Sequence, residues 1–231
     1  FKQIRELPLS LRLIREIYYV LTGKSAFFPE SSLQKLDSLE RFIHEKSGIY
    51  PLVKAALLHE IFENIKPFED KNDILARIFG MLYLAERSLL NYPVIALSEY
   101  LDPSNSVYVS SVNQVRKAGD YTHWIKFYTD SLNSSVLDSI KIAEKLNQWH
   151  LQDVKKIREL GCTENNAKII LESMYKKPTI NIEETTRKLD VSVATSGRLL
   201  ERLCDEGILF NLDNRRRNKI FIYTRMLEFF K

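Results

Sequence analysis

At 231 residues with 45% apolar content, the chain is long enough to bury a core and has room for one large domain or two smaller ones. No apolar run approaches the ~20 residues that a membrane-spanning helix needs, and the start, Phe1-Lys2-Gln3-Ile4-Arg5-Glu6, has no signal-peptide pattern, so a cytoplasmic protein with no membrane partner is expected. The net charge is only +4, and Cys162 and Cys204 stand far apart without metal-type spacing, which argues against a disulfide framework and a zinc site.

Leu9 to Leu21 reads as an amphipathic helix, with Leu11, Ile14, Ile17, Tyr18 and Leu21 at helical spacing. A short connection through Gly23 and Pro29 leads to a second helix carrying Leu33, Leu36, Leu39, Phe42 and Ile43. Val53 to Ile65 is the third. Its His59 and Glu63 lie four apart and so share a face, but this is not the two-histidine zinc arrangement, and His59 reads as a hydrogen-bonded structural residue. Pro67, with Asp70, Asn72 and Asp73 close behind, marks a tight polar loop. The run from Ile74 to Leu84 is apolar on nearly every side, as in a buried central helix. Its one interior charge, Arg77, needs an anion, supplied either by a ligand or by a structural ion pair to a neighbouring helix. Helices around Ser106 to Lys117 and Tyr121 to Leu146 follow, and Tyr108, Tyr121, Trp124, Phe127 and Tyr128 read as core.

Trp149-His150-Leu151 begins a linking helix, and a second small domain starts near Thr163. Helices are expected over Asn165 to Tyr175, Ile182 to Leu189 and Ala194 to Glu206, the last capped by Gly207. Strand-like runs at Ile208 to Phe210 and Ile220 to Tyr223 flank a basic turn with Arg215, Arg216, Arg217 and Lys219. Helix, turn, helix and basic hairpin form the pattern of a winged helix. The expected division is a helical domain over 1–150 and a winged helix over 151–231. Residues 151–231 hold 16 Lys/Arg against 12 Asp/Glu, and the rest hold 18 of each, so all the net positive charge lies in the C-terminal third. That excess is compatible with nucleic-acid binding but small beside strongly basic modules. On the third helix of this domain, Leu199, Leu200, Leu203 and Cys204 face inward at about 100° per residue, leaving Ala194, Arg198, Glu201, Arg202 and Asp205 outward. Glu201 and Asp205 offset Arg198 and Arg202, whereas Arg215, Arg216, Arg217 and Lys219 can each neutralise a phosphate. DNA contact through these six basic residues is one expectation. A protein-interaction module with a solvated basic turn is the other.

The stretch Lys66-Pro67-Phe68-Glu69-Asp70-Lys71-Asn72-Asp73-Ile74-Leu75-Ala76-Arg77 resembles the signature of the Fic family, His-Pro-Phe-x-Asp/Glu-Gly-Asn-Gly-Arg-x-x-Arg. The likeness extends back through Leu57-Leu58-His59-Glu60 to Ile65, and on through Tyr92-Pro93-Val94 to Ser98 and Ala118-Gly119-Asp120 to Phe127. It implies a mainly α fold, a Fic-type helical bundle with its signature loop at 66–77, followed by the small winged-helix (α+β) domain often found behind Fic domains. In that family the signature His is general base on a protein hydroxyl that takes AMP from ATP, the acidic residue holds magnesium, the Gly-Asn-Gly backbone and the next helix start bind phosphate, and the arginines clamp the rest.

Carried over, Pro67, Phe68, Asp70, Asn72 and Arg77 match, while Lys66 takes the His position, Lys71 and Asp73 the two Gly positions, and Ile74 the first Arg position. The resemblance thus implies ATP and magnesium as cofactors, Asp70 as metal ligand, Asn72, Arg77, Lys71 and Asp73 as nucleotide-binding positions, and Lys66 in place of the base. A solvated lysine, with a pKa of ~10.4, is protonated at neutral pH and accepts no proton. Asp73 at the helix start is itself an N-cap that would occupy the donors a phosphate needs. Ile74 removes one clamp. Two readings remain. The chain is a Fic-fold protein, catalytically impaired, that acts through nucleotide, protein or DNA binding. Alternatively, it is an active nucleotidyl or phosphoryl transferase with a rearranged site, Asp70 on magnesium, Lys66 or Lys71 on phosphates and Arg77 as clamp. The connection from Gly23 to Phe28 is shorter than the Fic region that carries a flap hairpin, so the flap is either lost or absent from this sequence. No Ser/Thr-x-x-x-Glu-Gly/Asn inhibitory motif is found near the N-terminus. Target protein and oligomeric state are not specified.

Overall fold

The computed structural model describes residues 8–25, 27–90, 95–102, 104–212 and 219–230. The chain is mainly helical with one small three-stranded antiparallel sheet, and it divides into two compact units, Phe1–Lys141 and Ile142–Lys231. Among the described residues no helix is long and apolar enough to cross a membrane.

In the first unit α1 (Leu11–Thr22) starts at Ser10, whose hydroxyl accepts the Leu13 N–H, and it buries Ile14 and Tyr18. Leu21 near its end stays exposed. Next come α2 (Glu30–His44), which buries Leu36, Leu39 and Ile43, and α3 (Pro51–Ile65) with a proline in its first turn. The apolar run after the loop becomes α4 (Asn72–Glu86), packed along α3. Leu75, Ala76, Phe79, Gly80 and Leu82 to Ala85 are all buried, as expected for a central helix. A Cβ on Gly80 would meet the Tyr128 hydroxyl at 2.5 Å, so a side chain there would force α4 away from the next layer. That layer is α5 (Ser106–Ala118) and the first part of α6 (Tyr121–Arg158). Trp124 and Tyr128 are fully buried, and the Trp124 indole donates to the Ala56 carbonyl at 2.8 Å. Tyr121, read as core, is instead 41% exposed, because it occupies the first turn of α6.

The expected break near Trp149 does not occur. Residues 145–151, Lys-Leu-Asn-Gln-Trp-His-Leu, contain neither Gly nor Pro, and α6 runs unbroken for 38 residues. The division between the units falls inside it, after Lys141 rather than after His150.

The second unit takes the rest of α6, then α7 (Glu164–Met174), β1 (Thr179–Asn181), α8 (Ile182–Leu189), α9 (Val193–Asp205), β2 (Leu209–Asn211) and β3 (Ile220–Tyr223). Asn181 and Glu184 form a capping box at the start of α8, and Gly207, at φ +70°, closes α9 with its N–H on the Cys204 carbonyl. The strand order is β1-β3-β2, antiparallel throughout, with Ile180 opposite Phe221 and Leu209 opposite Tyr223. β1 is too short to show an alternating pattern and was illegible in the sequence. Asp153, buried on α6, accepts from the Tyr223 hydroxyl at 2.7 Å and pairs with Arg225 at 3.1 Å, tying α6 to the strand end.

Candidate functional site

The loop at 66–77 is closed by its own side chains. Lys66 ends α3 in the left-handed region at φ 47°, and Lys71 precedes α4 at φ 60°. Asn72 clamps the turn between them, its Oδ1 accepting the Phe68 N–H at 3.1 Å and its Nδ2 donating to the Phe68 carbonyl at 2.7 Å. Phe68 is buried and lies flat on Tyr18, ring centres 4.3 Å apart and 8° from parallel.

Each charged position of the signature has a local partner or faces solvent. Arg77 is 8% exposed. It donates from Nη1 to the Leu101 carbonyl at 2.6 Å and from Nη2 to Asp73 Oδ2 at 3.0 Å. The anion it needs is therefore a carboxylate one turn away on its own helix. That overturns the expectation that Asp73 caps α4. The helix begins at Asn72 behind an αL residue with no side-chain cap, so Asp73 sits inside the first turn, where an i,i+4 partner is within reach. The amino end of α4 keeps backbone donors, but Asp73 places a negative charge beside them. Asp70 Oδ1 accepts the Tyr18 hydroxyl at 3.0 Å, and Oδ2 lies 3.7 Å from Lys24 Nζ. Lys66 Nζ lies 3.2 Å from Glu63 Oε1. Of the five charged loop positions 66, 69, 70, 71 and 73, only Glu69 and Lys71 have no ion pair among the described residues. Asp70 is the loop carboxylate best placed for a divalent cation, and its oxygens are already engaged, so the residues fit magnesium-bound nucleotide poorly.

α3 buries four titratable groups, Lys54 in its first half and His59, Glu60 and Glu63 in its second. Burial raises the Glu60 pKa, with Arg116 opposing and Glu63 adding to the rise. His59 Nε2 lies 3.4 Å from the Tyr108 hydroxyl, among Trp124 and Tyr128. Burial first, and the Arg77 charge second, pull its pKa down to about 3 from 6.5. Between those pH values the unfolded chain holds the extra proton, so the stability due to neutral His59 is whole above about pH 6.5 and falls with acid by about 1.4 kcal/mol per unit. From about pH 7.5 to about pH 5, wild type is expected to lose about 2 kcal/mol more than His59→Gln in urea unfolding. Glu60 contributes with the opposite sign in both proteins and cancels in the difference. Equal losses would remove His59 as the source.

In the second unit Arg198, Glu201, Arg202 and Asp205 are exposed on α9, as the helical spacing predicts. Their charges are intermixed, and Glu201 takes Lys219 at 3.1 Å. Arg215, Arg216 and Arg217 lie outside the described residues.

Sequence reasoning missed Tyr18, Glu63 and the Leu101 carbonyl as loop partners. Glu63 was legible in principle, three residues before Lys66 on one helix face. Tyr18 carried the weaker signal of a polar-tipped residue on a buried stripe, and a backbone carbonyl carries none.

Residues 8–84 match the model of the Fic/DOC family. A solved Fic family protein from Desulfovibrio desulfuricans G20 is similar in fold, with a TM-score of 0.52 over 96% of this chain and 71% of that one, at 14% identity. The matched residues are those that carry α1 to α4 and the loop.

Proposed function

We propose that this chain is a Fic-type protein whose loop no longer supports efficient AMP transfer from ATP to a protein hydroxyl, and that it acts through binding. Its second unit, in this reading, is a winged helix that contacts DNA or a partner protein. One observation carries the first part. The retained signature arginine, Arg77, is held by Asp73 and the Leu101 carbonyl, so the charge that would clamp a nucleotide is spent within the fold. Lys66, at the position of the base, faces Glu63. The order helix, strand, helix, helix and antiparallel hairpin supports the winged-helix reading.

Calorimetric titration of the full chain with ATP and magnesium tests this. Binding weaker than about 1 mM, or about −4 kcal/mol, is expected. Micromolar binding would favour the second reading, an active nucleotidyl or phosphoryl transferase with a rearranged site. That reading draws on Lys71, which is unpaired among the described residues, and on the Asp70 side chain, which is 44% exposed. In it, Asp70 holds magnesium while Lys66 or Lys71 meets phosphates.

A further inference from the structure

We infer that a phosphate-binding site lies in the second unit, in the cleft between the end of α7, β1 and the last turn of α8. This rests on the reading of that unit as a DNA-contacting module, and it moves one contact away from α9 and the hairpin.

The cleft has a volume of about 450 Å³ and is lined by Lys176, Lys177, Thr179, Glu184, Arg187 and Lys188, with Ile180 and Ser173. Four cations thus face one carboxylate. Glu184 is committed to Lys177 at 2.5 Å and to the Asn181 N–H of its capping box. Arg187 pairs with Glu183 at 3.3 Å, but those side chains are 74% and 84% exposed, and such a pair exchanges readily for a better anion. Lys176 and Lys188 have no carboxylate partner among the described residues, although Glu172 stands one turn before Lys176. Two free cations and one loosely held one therefore converge from two chain segments, the turn after α7 and the last turn of α8, that form no continuous basic run. The Thr179 hydroxyl adds a neutral donor.

A phosphate suits this set better than a carboxylate, because it offers several strong acceptors and more charge to groups arriving from different sides. The α9 face is the weaker candidate, since Glu201 and Asp205 alternate with Arg198 and Arg202 and Glu201 already holds Lys219. The cleft opens at the surface, so a phosphodiester backbone can cross it, and a free phosphate compound has the same chemistry.

The full chain is titrated into labelled double-stranded DNA, followed by anisotropy at several salt concentrations, and pyrophosphate is titrated by calorimetry. Each is repeated on Lys176→Gln/Lys188→Gln and on Arg198→Gln/Arg202→Gln, with thermal melts confirming folding. All four side chains are exposed, so folding is expected to be unaffected. Loss of two phosphate contacts should weaken DNA binding about tenfold and flatten the slope of log K against log salt by about 2 in the lysine variant. If wild type ignores DNA but binds pyrophosphate through the two lysines, the cleft stands with a small phosphate ligand and the DNA reading fails. DNA binding that survives the lysine changes, or falls only in the arginine variant, overturns the cleft while sparing the DNA reading. Binding of neither ligand overturns it as well.

Discussion

Arg77→Ala is expected to lower the free energy of unfolding by about 3–5 kcal/mol, read as a shift of the urea midpoint at constant slope. The guanidinium is 8% exposed and sits among the α3–α4 core. Removing it leaves the Leu101 carbonyl without its donor and Asp73 without its counter-charge, and it opens a cavity under α4. Asp73 is partly exposed, its side chain at 30%, so the larger costs are the unpaired Leu101 carbonyl and the cavity, and truncating one partner of the pair is still more severe than replacing both. Arg77→Ala/Asp73→Ala should therefore recover part of the loss. Arg77→Lys should recover little, since one ammonium on a flexible stem cannot serve two partners at fixed positions. A loss under about 1 kcal/mol for Arg77→Ala would mean the pair is not structural, and the arginine would return to consideration as a ligand clamp. The same result governs how ligand-binding assays on this variant are read. Diminished nucleotide binding in a partly unfolded protein says nothing about a clamp, so a melt must accompany each titration.

How far the sequence could lead is seen by comparing α4 with its loop. The helix was legible because ten or so apolar residues in a row leave no polar face, and such a helix has to be enclosed. Its buried arginine was equally legible as a charge in need of an anion. Which anion was not, since Asp73 could cap α4 or reach Arg77, and the choice depends on a single residue of helix start. With Lys71 in the left-handed region and Asn72 already helical, Asp73 falls in the first turn, and its carboxylate turns along the helix. The second unit shows the same limit. Gly207 marked the end of α9, but β1 is three residues long and exists because β3 supplies its partners. The basic cleft was hidden because its cations come from residues 176–188 across a strand and a helix, and only folding brings them together.

Rebuilding the signature in steps is expected to separate the two defects of the loop. Lys66→His alone supplies a group that titrates near neutrality, and positioned bases are worth about 100- to 10,000-fold in rate. Yet it should yield no measurable transfer of labelled AMP to the protein itself or to a bacterial extract, because Arg77 remains paired with Asp73 and the negative charge beside the start of α4 still repels phosphate. Asp73→Gly removes that charge and leaves Arg77 bonded to Leu101 alone. Lys71→Gly relieves a side chain held at φ 60°, a conformation glycine adopts without penalty. Ile74→Arg restores the first clamp in a position that is half-buried on α4. The four changes together should raise transfer at least about 100-fold over Lys66→His alone, and omission of Asp73→Gly should cost most of that gain. If Lys66→His by itself restores transfer, the paired arginine is no obstacle and the loop is closed only by the missing base. If the fourfold variant folds but transfers nothing, the loss lies outside these positions, and the chain is better understood as a scaffold whose work is done by binding.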